Sequence, residues 1–539
     1  NTAVGDRAGY TMSTGHSNVV VGHTAAYKHT TGERNVVIGL EAGYSGTTYN
    51  YNVLIGNGAG YMASGMASGV YIGRNAGNHV SGSDNTFIGT SAGIGQSAAT
   101  HATIGSVAVG KNAMYYNSTT NYCVAVGEAA LMGASSDPWM TGDYNTAVGR
   151  QALTSTTSGY GNTAVGYIAG GSMTTGRDNT LMGLQAGQYN TTGVENTVVG
   201  YLAGRNMGGG NYNTFLGWSA GYDNVGHRNT ALGYASMFEY KQSGDGYNVA
   251  LGMYAMNQVE TGSSNVAIGY TALRGATGHD MDYNVAIGAQ AMYSNTTGDN
   301  NVGIGRNALF TNTTGEGNTV LGTEAGESLS TGNHNVMVGF AAGEDHTGQY
   351  SVFIGKGAGT NNTSADGNVM IGNNAGQANT TQAQNTYIGF QAGYSSAGVE
   401  NTMIGYNAGV NTTAGYNVVI GSSAGSDMTT GDYNTIVGTT AGANITGSQQ
   451  NVLLGAYAGR MLQASKRLVA IGYEAAYMAP TGYQVAIGHT ALHSPTTATE
   501  NLAIGYAAIN GASSSTSEYN TALGNYSLPA VTDAAKNVA

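Results

Sequence analysis

The feature that most constrains this chain is a short motif recurring mostly every 17 residues, and several times every 16, from Asn1 to the last residues. It reads Asn1-Thr2-Ala3-Val4-Gly5, then Asn18-Val19-Val20-Val21-Gly22, then Asn35-Val36-Val37-Ile38-Gly39. There are 31 copies, anchored on glycines from Gly5 to Gly524, and a further copy begins at Asn537. Numbered within a copy, position 1 is Asn in 25 of the 31. Position 2 is Thr or Val except for Leu502, position 4 is an aliphatic or Met, position 5 is always Gly, and position 8 is Ala or Ser. A repeat of this kind must be read before anything else, because one unit cannot bury its apolar side alone and is stabilised by its neighbours.

Positions 1–5 predict a short β-strand bounded by turn residues. A helix is excluded by the glycine spacing, since each interior Gly costs about 1 kcal/mol against Ala. The expected fold is all-β, a β-solenoid or β-roll of about 31 coils over residues 1–539. At about 4.8 Å between strands, such a stack would extend roughly 150 Å. The recurring Asn would form an amide ladder. No globular domain boundary is visible, and a chain that starts on position 1 and stops within a copy is expected to be a segment of a longer fibre protein.

Residues alternate between the two faces of a strand, so positions 2 and 4 share one face and position 3 takes the other. Both are apolar. One set must fill the coil, while the other forms an outer column larger than the few hundred Å² a soluble monomer exposes. A second regularity couples position 3 to position 9. All 17 large residues at position 3 are followed by Gly or Ala at position 9, as in Leu54 with Gly60 and Phe353 with Gly359. Of the 14 small ones, 11 are followed by a large residue, as in Ala125 with Leu131 and Ala250 with Met256. The two positions are expected to share one packing space of constant volume. The favoured assignment puts positions 2, 4 and 8 inside the coil and positions 3 and 9 at a subunit interface. That interface would comprise Leu54, Phe87, Leu131, Phe215, Met256, Leu309, Phe353 and Ile436. The reverse assignment stays open, and both require partner chains.

The run Asn145-Thr146-Ala147-Val148-Gly149-Arg150-Gln151-Ala152, and its counterpart Asn265-Val266-Ala267-Ile268-Gly269-Tyr270-Thr271-Ala272, resembles the head repeats of trimeric autotransporter adhesins. It is similar also to repeats of phage tail fibres and bacterial surface fibres. The resemblance implies a homotrimeric β-roll, extracellular on a cell or virion surface, that binds a host-surface glycan or protein. The repeat here is longer than the usual adhesin head repeat, so its turns should be larger. No coiled-coil stalk, anchor barrel or tail-fibre chaperone domain accompanies it.

Composition narrows the chemistry. Only 9% of residues are charged, net charge is −12, and no basic run exists, which argues against nucleic acid. No apolar run reaches the 18 residues of a membrane-spanning helix, so this segment is not expected to insert in a membrane. Gly56-Asn57-Gly58-Ala59-Gly60 and Gly303-Ile304-Gly305 mimic phosphate-cradling loops, but repeat position 5 accounts for them. His489 and His493 have helical zinc spacing on a segment that is not a helix. Asp280, Asp282 and Asn284 form a weak calcium candidate. Cys123 sits at the Asn position with no basic neighbour to activate it. No Ser, His and Asp constellation stands out, so neither catalysis nor a cofactor is expected.

Recognition is expected where the repeat is interrupted. Gly127 and Gly149 are 22 residues apart, giving a loop from Leu131 to Tyr144 with Asp137, Pro138 and Trp139. Gly89 and Gly110 are 21 apart, giving another from Ile94 to Ser106. Asp137, Pro138, Trp139 and Tyr144 are the candidate receptor-binding residues, set against the reading that Trp139 only covers the chain's own surface. The expected function is a non-enzymatic fibre shaft. The alternatives are a structural filament stacking end to end, an ice-binding solenoid and, least favoured, a parallel β-helix polysaccharide lyase.

Overall fold

The computed structural model describes residues 1–63, 65–95, 101–135, 139–275, 280–478, 482–494, 499–510, 518–529 and 536–539. It is an all-β parallel solenoid with a repeat of about 17 residues, and no described residue is helical. Among the described residues, no helix is long and apolar enough to cross a membrane. The chain divides into two compact units, Asn1–Asp280 and Met281–Ala539. In the first, three-residue strands run from Thr2–Val4 to Val266–Ile268. In the second they run from Val285–Ile287 to Thr521–Leu523.

Within each unit the three-residue strands occupy positions 2–4 and pair in parallel, without slippage, with the strands of adjacent copies. Thr146, Ala147 and Val148 face Thr163, Ala164 and Val165, which face Thr180, Leu181 and Met182. Outside the strands the turn residues continue the ladder. The N–H of Gly170 donates to the carbonyl of Ala186 (2.9 Å) and that of Ile168 to Arg150 (3.0 Å), each one coil away. So short a strand has no stability of its own; the stack holds it.

The alternation of faces is the reverse of the favoured sequence assignment. Position 3 points into the coil: Leu54, Phe87, Phe215, Phe353 and Ile436 are wholly buried within the single chain. So are Leu131, Met256 and Leu309 at position 9. These eight side chains therefore form the core and not a subunit interface. Positions 2 and 4 point outward, with Val19 40%, Leu216 45% and Leu321 48% exposed. The reason lies in position 1. The Asn amide must sit inside the coil to reach its neighbours, and period-two alternation then sends position 3 inward with it.

The shared packing space of positions 3 and 9 is inside the coil. A β-carbon on Gly77 would meet the Tyr71 ring at 2.6 Å, and one on Gly359 would meet the Phe353 ring at 2.9 Å. The pair Ala164 and Gly170, small at both positions, is filled from its neighbours. A β-carbon at Gly170 would lie 2.8 Å from both Leu153 of the preceding coil and Leu181 of the following one.

The Asn column is an unbroken amide ladder over long stretches. Asn179 donates its backbone N–H (3.1 Å) and side-chain amide (2.9 Å) to the Asn162 side-chain Oδ1, and its amide also reaches Gly193 O (2.8 Å). Position 5 must be Gly because its backbone approaches the next coil too closely for a side chain. A β-carbon on Gly56, with φ of +134°, would lie 2.5 Å from Gly73 O.

Candidate functional site

Two surfaces could meet a partner: the outward face of the strands and the region of the two insertions. On the outward face, positions 2 and 4 present Val, Thr, Ile and Leu in columns. Six consecutive coils put Thr at position 2, from Thr146, Thr163 and Thr180 to Thr197, Thr214 and Thr230. Rings flank the face on both sides. At position 6, Trp218 stacks between Tyr201 (5.8 Å) and Tyr234 (4.5 Å). On the other flank, just before position 1, Tyr416 stacks on Tyr433 (4.9 Å), and the Arg228 guanidinium lies against Tyr212 and Tyr247. Tyrosines at both flanks thus pack on their counterparts in adjacent coils while keeping their edges in solvent.

The insertions bring aromatic and amide side chains together. Trp139 is half-buried, with its ring 5.4 Å from Tyr116, and Tyr116 packs edge-on against Tyr115 at 4.7 Å. With Asn75, Asn78 and His79 these rings line a pocket of about 330 Å³. Its floor is fixed by backbone bonds between coils, including Gly95 N–H to Asn78 O (2.9 Å) and Met140 N–H to Tyr116 O (3.3 Å). Asn78 Oδ1 accepts from the Met62 N–H (3.2 Å), which orients its amide.

Of the described candidate receptor-binding residues, Trp139 lines this pocket. Tyr144 is separate: it stacks on Tyr122 (5.6 Å) in the column that flanks the strands. Asp137 and Pro138 lie outside the described residues. Tyr115, Tyr116, Asn75 and Asn78 were not singled out by sequence reasoning. The available signal was the column that places Tyr10, Tyr27, Tyr44 and Tyr61 on successive coils and then changes to Asn78 and Ile94.

The remaining candidates separate. Asn284 is buried in the amide ladder, donating to Gly298 O (2.9 Å) and Asp282 O (3.1 Å), so its side chain is committed to the fold. Among the described residues, no three His, Cys, Asp or Glu side chains gather as a metal site would require. His489 stacks between Tyr473 (4.9 Å) and Tyr506 (5.0 Å), whereas His493 stacks on Tyr477 (5.1 Å) and faces Glu474 (3.3 Å). They stand in different columns. Cys123 is buried, and burial pushes its thiol up to about 12. It takes the Asn place in the ladder, receiving the Asn145 N–H on sulfur (3.4 Å). In the two loops that mimic phosphate cradles, Gly56 and Gly305 continue the position-5 glycine column, with φ of +134° and +137°. No protein-family profile matches the chain, and no curated protein matches it in sequence.

Proposed function

We propose that the chain is a non-enzymatic segment of an extracellular fibre that assembles with copies of itself through the outward face of its strands. The observation that carries this reading is the pair of outward columns at positions 2 and 4. In the first unit sixteen strands put an aliphatic residue or Met at position 4 outside the coil, beside eight Val and eight Thr at position 2. At roughly 30–40 Å² apiece the apolar ones present about 700–1,000 Å², above the few hundred a monomer tolerates and near one partner's share of a stable interface. A second copy of the same chain has the same axial spacing, so its columns match residue for residue over the whole face. Three chains around one axis is the arrangement implied by the resemblance to adhesin and tail-fibre repeats. Such a shaft would hold a binding surface away from a cell or virion.

The test is charge on the outward face. Thr197→Lys and Thr230→Lys together, two coils apart so that the charges are not paired across the ladder, should dissociate the assembly while leaving the coil's melting behaviour intact, because both side chains are exposed on the outward face. An assembly that keeps its mass in this variant would overturn the reading.

The outward threonines favour a second reading. Six adjacent coils carry Thr beside an aliphatic residue in a regular array, the arrangement of a surface that orders water. Thermal hysteresis at about millimolar concentration would support ice binding, and its absence would eliminate it.

A further inference from the structure

The pocket beside Trp139 differs from every other aromatic cluster described above, because its ring faces are not used up by stacking. Elsewhere in the same column the rings pair face to face between coils: Tyr10 on Tyr27 (5.2 Å), Tyr44 on Tyr61 (5.1 Å), Tyr222 on Phe238 (4.8 Å). Each such pair buries the faces and leaves edges outside. Tyr115 stands in that column with Ile94 one coil before it and Met132 one coil after, so no ring stacks on it along the column. Its ring contact is edge-on to Tyr116, and Trp139 leans on Tyr116 at 47°. The insertion that delivers Trp139 thus builds a concave aromatic wall in place of a closed ladder.

Opposite this wall stand amides. Among the described residues the Asn75 side chain has no hydrogen-bond partner, and the Asn78 amide, oriented through its oxygen, has none for its two N–H donors. Among the described residues, the lining holds no Asp, Glu, Lys or Arg. Apolar ring faces opposed to neutral, bidentate-capable amides select a ligand with the same division. It must carry one face of C–H groups, hydroxyls around its edge, and no net charge. We infer that this pocket binds a neutral saccharide, a mono- or disaccharide unit lying on the Trp139 and Tyr115 wall with its hydroxyls on Asn75 and Asn78. Among the described lining residues a charged sugar would find no carboxylate, ammonium or guanidinium group, and a peptide would find no row of backbone partners. The described lining belongs to one chain, so the site stands whether or not the chain self-assembles.

The chain has two tryptophans, Trp139 and Trp218. Trp218→Phe in the full chain leaves Trp139 as the sole indole reporter. Its fluorescence would be titrated with glucose, galactose, mannose, N-acetylglucosamine and their common disaccharides up to about 50 mM, covering the millimolar affinities expected of a small, partly open site. A saturable change with at least one neutral sugar, weakened about tenfold or more in Asn75→Ala/Asn78→Ala, is the expected result. Melting curves confirm that this variant folds, and the solution mass, read in parallel, reports separately on assembly. No saturable change with any neutral sugar, saturation unaltered in the double variant, or saturation only with sialic acid or a tyrosine-rich peptide would each overturn the proposal.

Discussion

A β-carbon placed on Gly221 would lie 2.6 Å from the ring of Phe215, six residues earlier in the same coil. The two residues divide one fixed space, which makes substitution at either position conditional on the other. Phe215→Ala alone should empty that space at a cost of about 3–5 kcal/mol. Gly221→Ala alone should clash with the ring. Phe215→Ala/Gly221→Leu rebuilds the pairing found at Ala125 and Leu131, where Leu131 holds φ of +47°, and should recover most of the loss. Denaturation midpoints of the three variants provide the check; additive losses in the double variant would refute the shared space.

The amide ladder predicts a gain at its interruption. Cys123 stands between Ser106 and Asn145 in the column and accepts the Asn145 N–H on sulfur, a weak acceptor. Cys123→Asn should restore the amide contacts and raise stability by about 1 kcal/mol. Asn179→Ala in an intact stretch should lower it by about 2–4 kcal/mol, because Gly193 O loses its donor and the Asn196 N–H its acceptor. Native Cys123, buried with its thiol pushed up to about 12, should resist thiol reagents until the coil unfolds.

Two histidines make stability depend on pH. Burial lowers the imidazoles of His29 and His346 from their ordinary value of 6.5. The unfolded chain therefore binds more protons than the folded one as pH falls below about 6.5. Their contribution is complete above that pH and is lost as pH drops toward the lowered folded values. His346→Asn, the residue found in the same column at Asn362 and Asn379, should make the denaturation midpoint fall less between pH 7 and pH 5. A midpoint that drops equally in both proteins would count against the buried imidazole.

Backbone strain recurs just before position 1, where the chain is left-handed in nearly every described coil, Tyr483 being an exception. Ser68 sits there with φ of +56°, exposed, while Gly161 and Gly317 hold the same place in other coils with φ of +66° and +65°. Ser68→Gly should raise stability by about 1 kcal/mol, since a left-handed conformation costs a non-glycine residue about 1–2 kcal/mol and Gly returns part of that as unfolded-state entropy. Calorimetric midpoints measure it, and a decrease would show that Ser68 contributes contacts the strain does not outweigh.

The solenoid was legible in the sequence because Gly at position 5 and Asn at position 1 are each required by an axial contact that every coil repeats. The reciprocity of positions 3 and 9 was legible too, since a conserved volume leaves a trace in composition. Which face pointed inward was not. Val and Ile at positions 2 and 4 look like core residues on hydropathy, and Ala at position 3 looks indifferent. The decision rests on where the Asn amide finds partners, a three-dimensional fact about the path of the turns. The pocket was legible only as Trp139 in an insertion. Its other walls, Asn75, Asn78 and Tyr115, come from coils separated by the 21-residue spacing, and no local motif joins them.

The central claim is that the outward columns at positions 2 and 4 are covered by further copies of this chain. The most direct measurement is the solution mass by light scattering after size exclusion. The account predicts about three times the 54.7 kDa chain mass. A stable monomer at 54.7 kDa, unchanged across concentration and ionic strength, would contradict it and leave the outward face without the partner proposed for it.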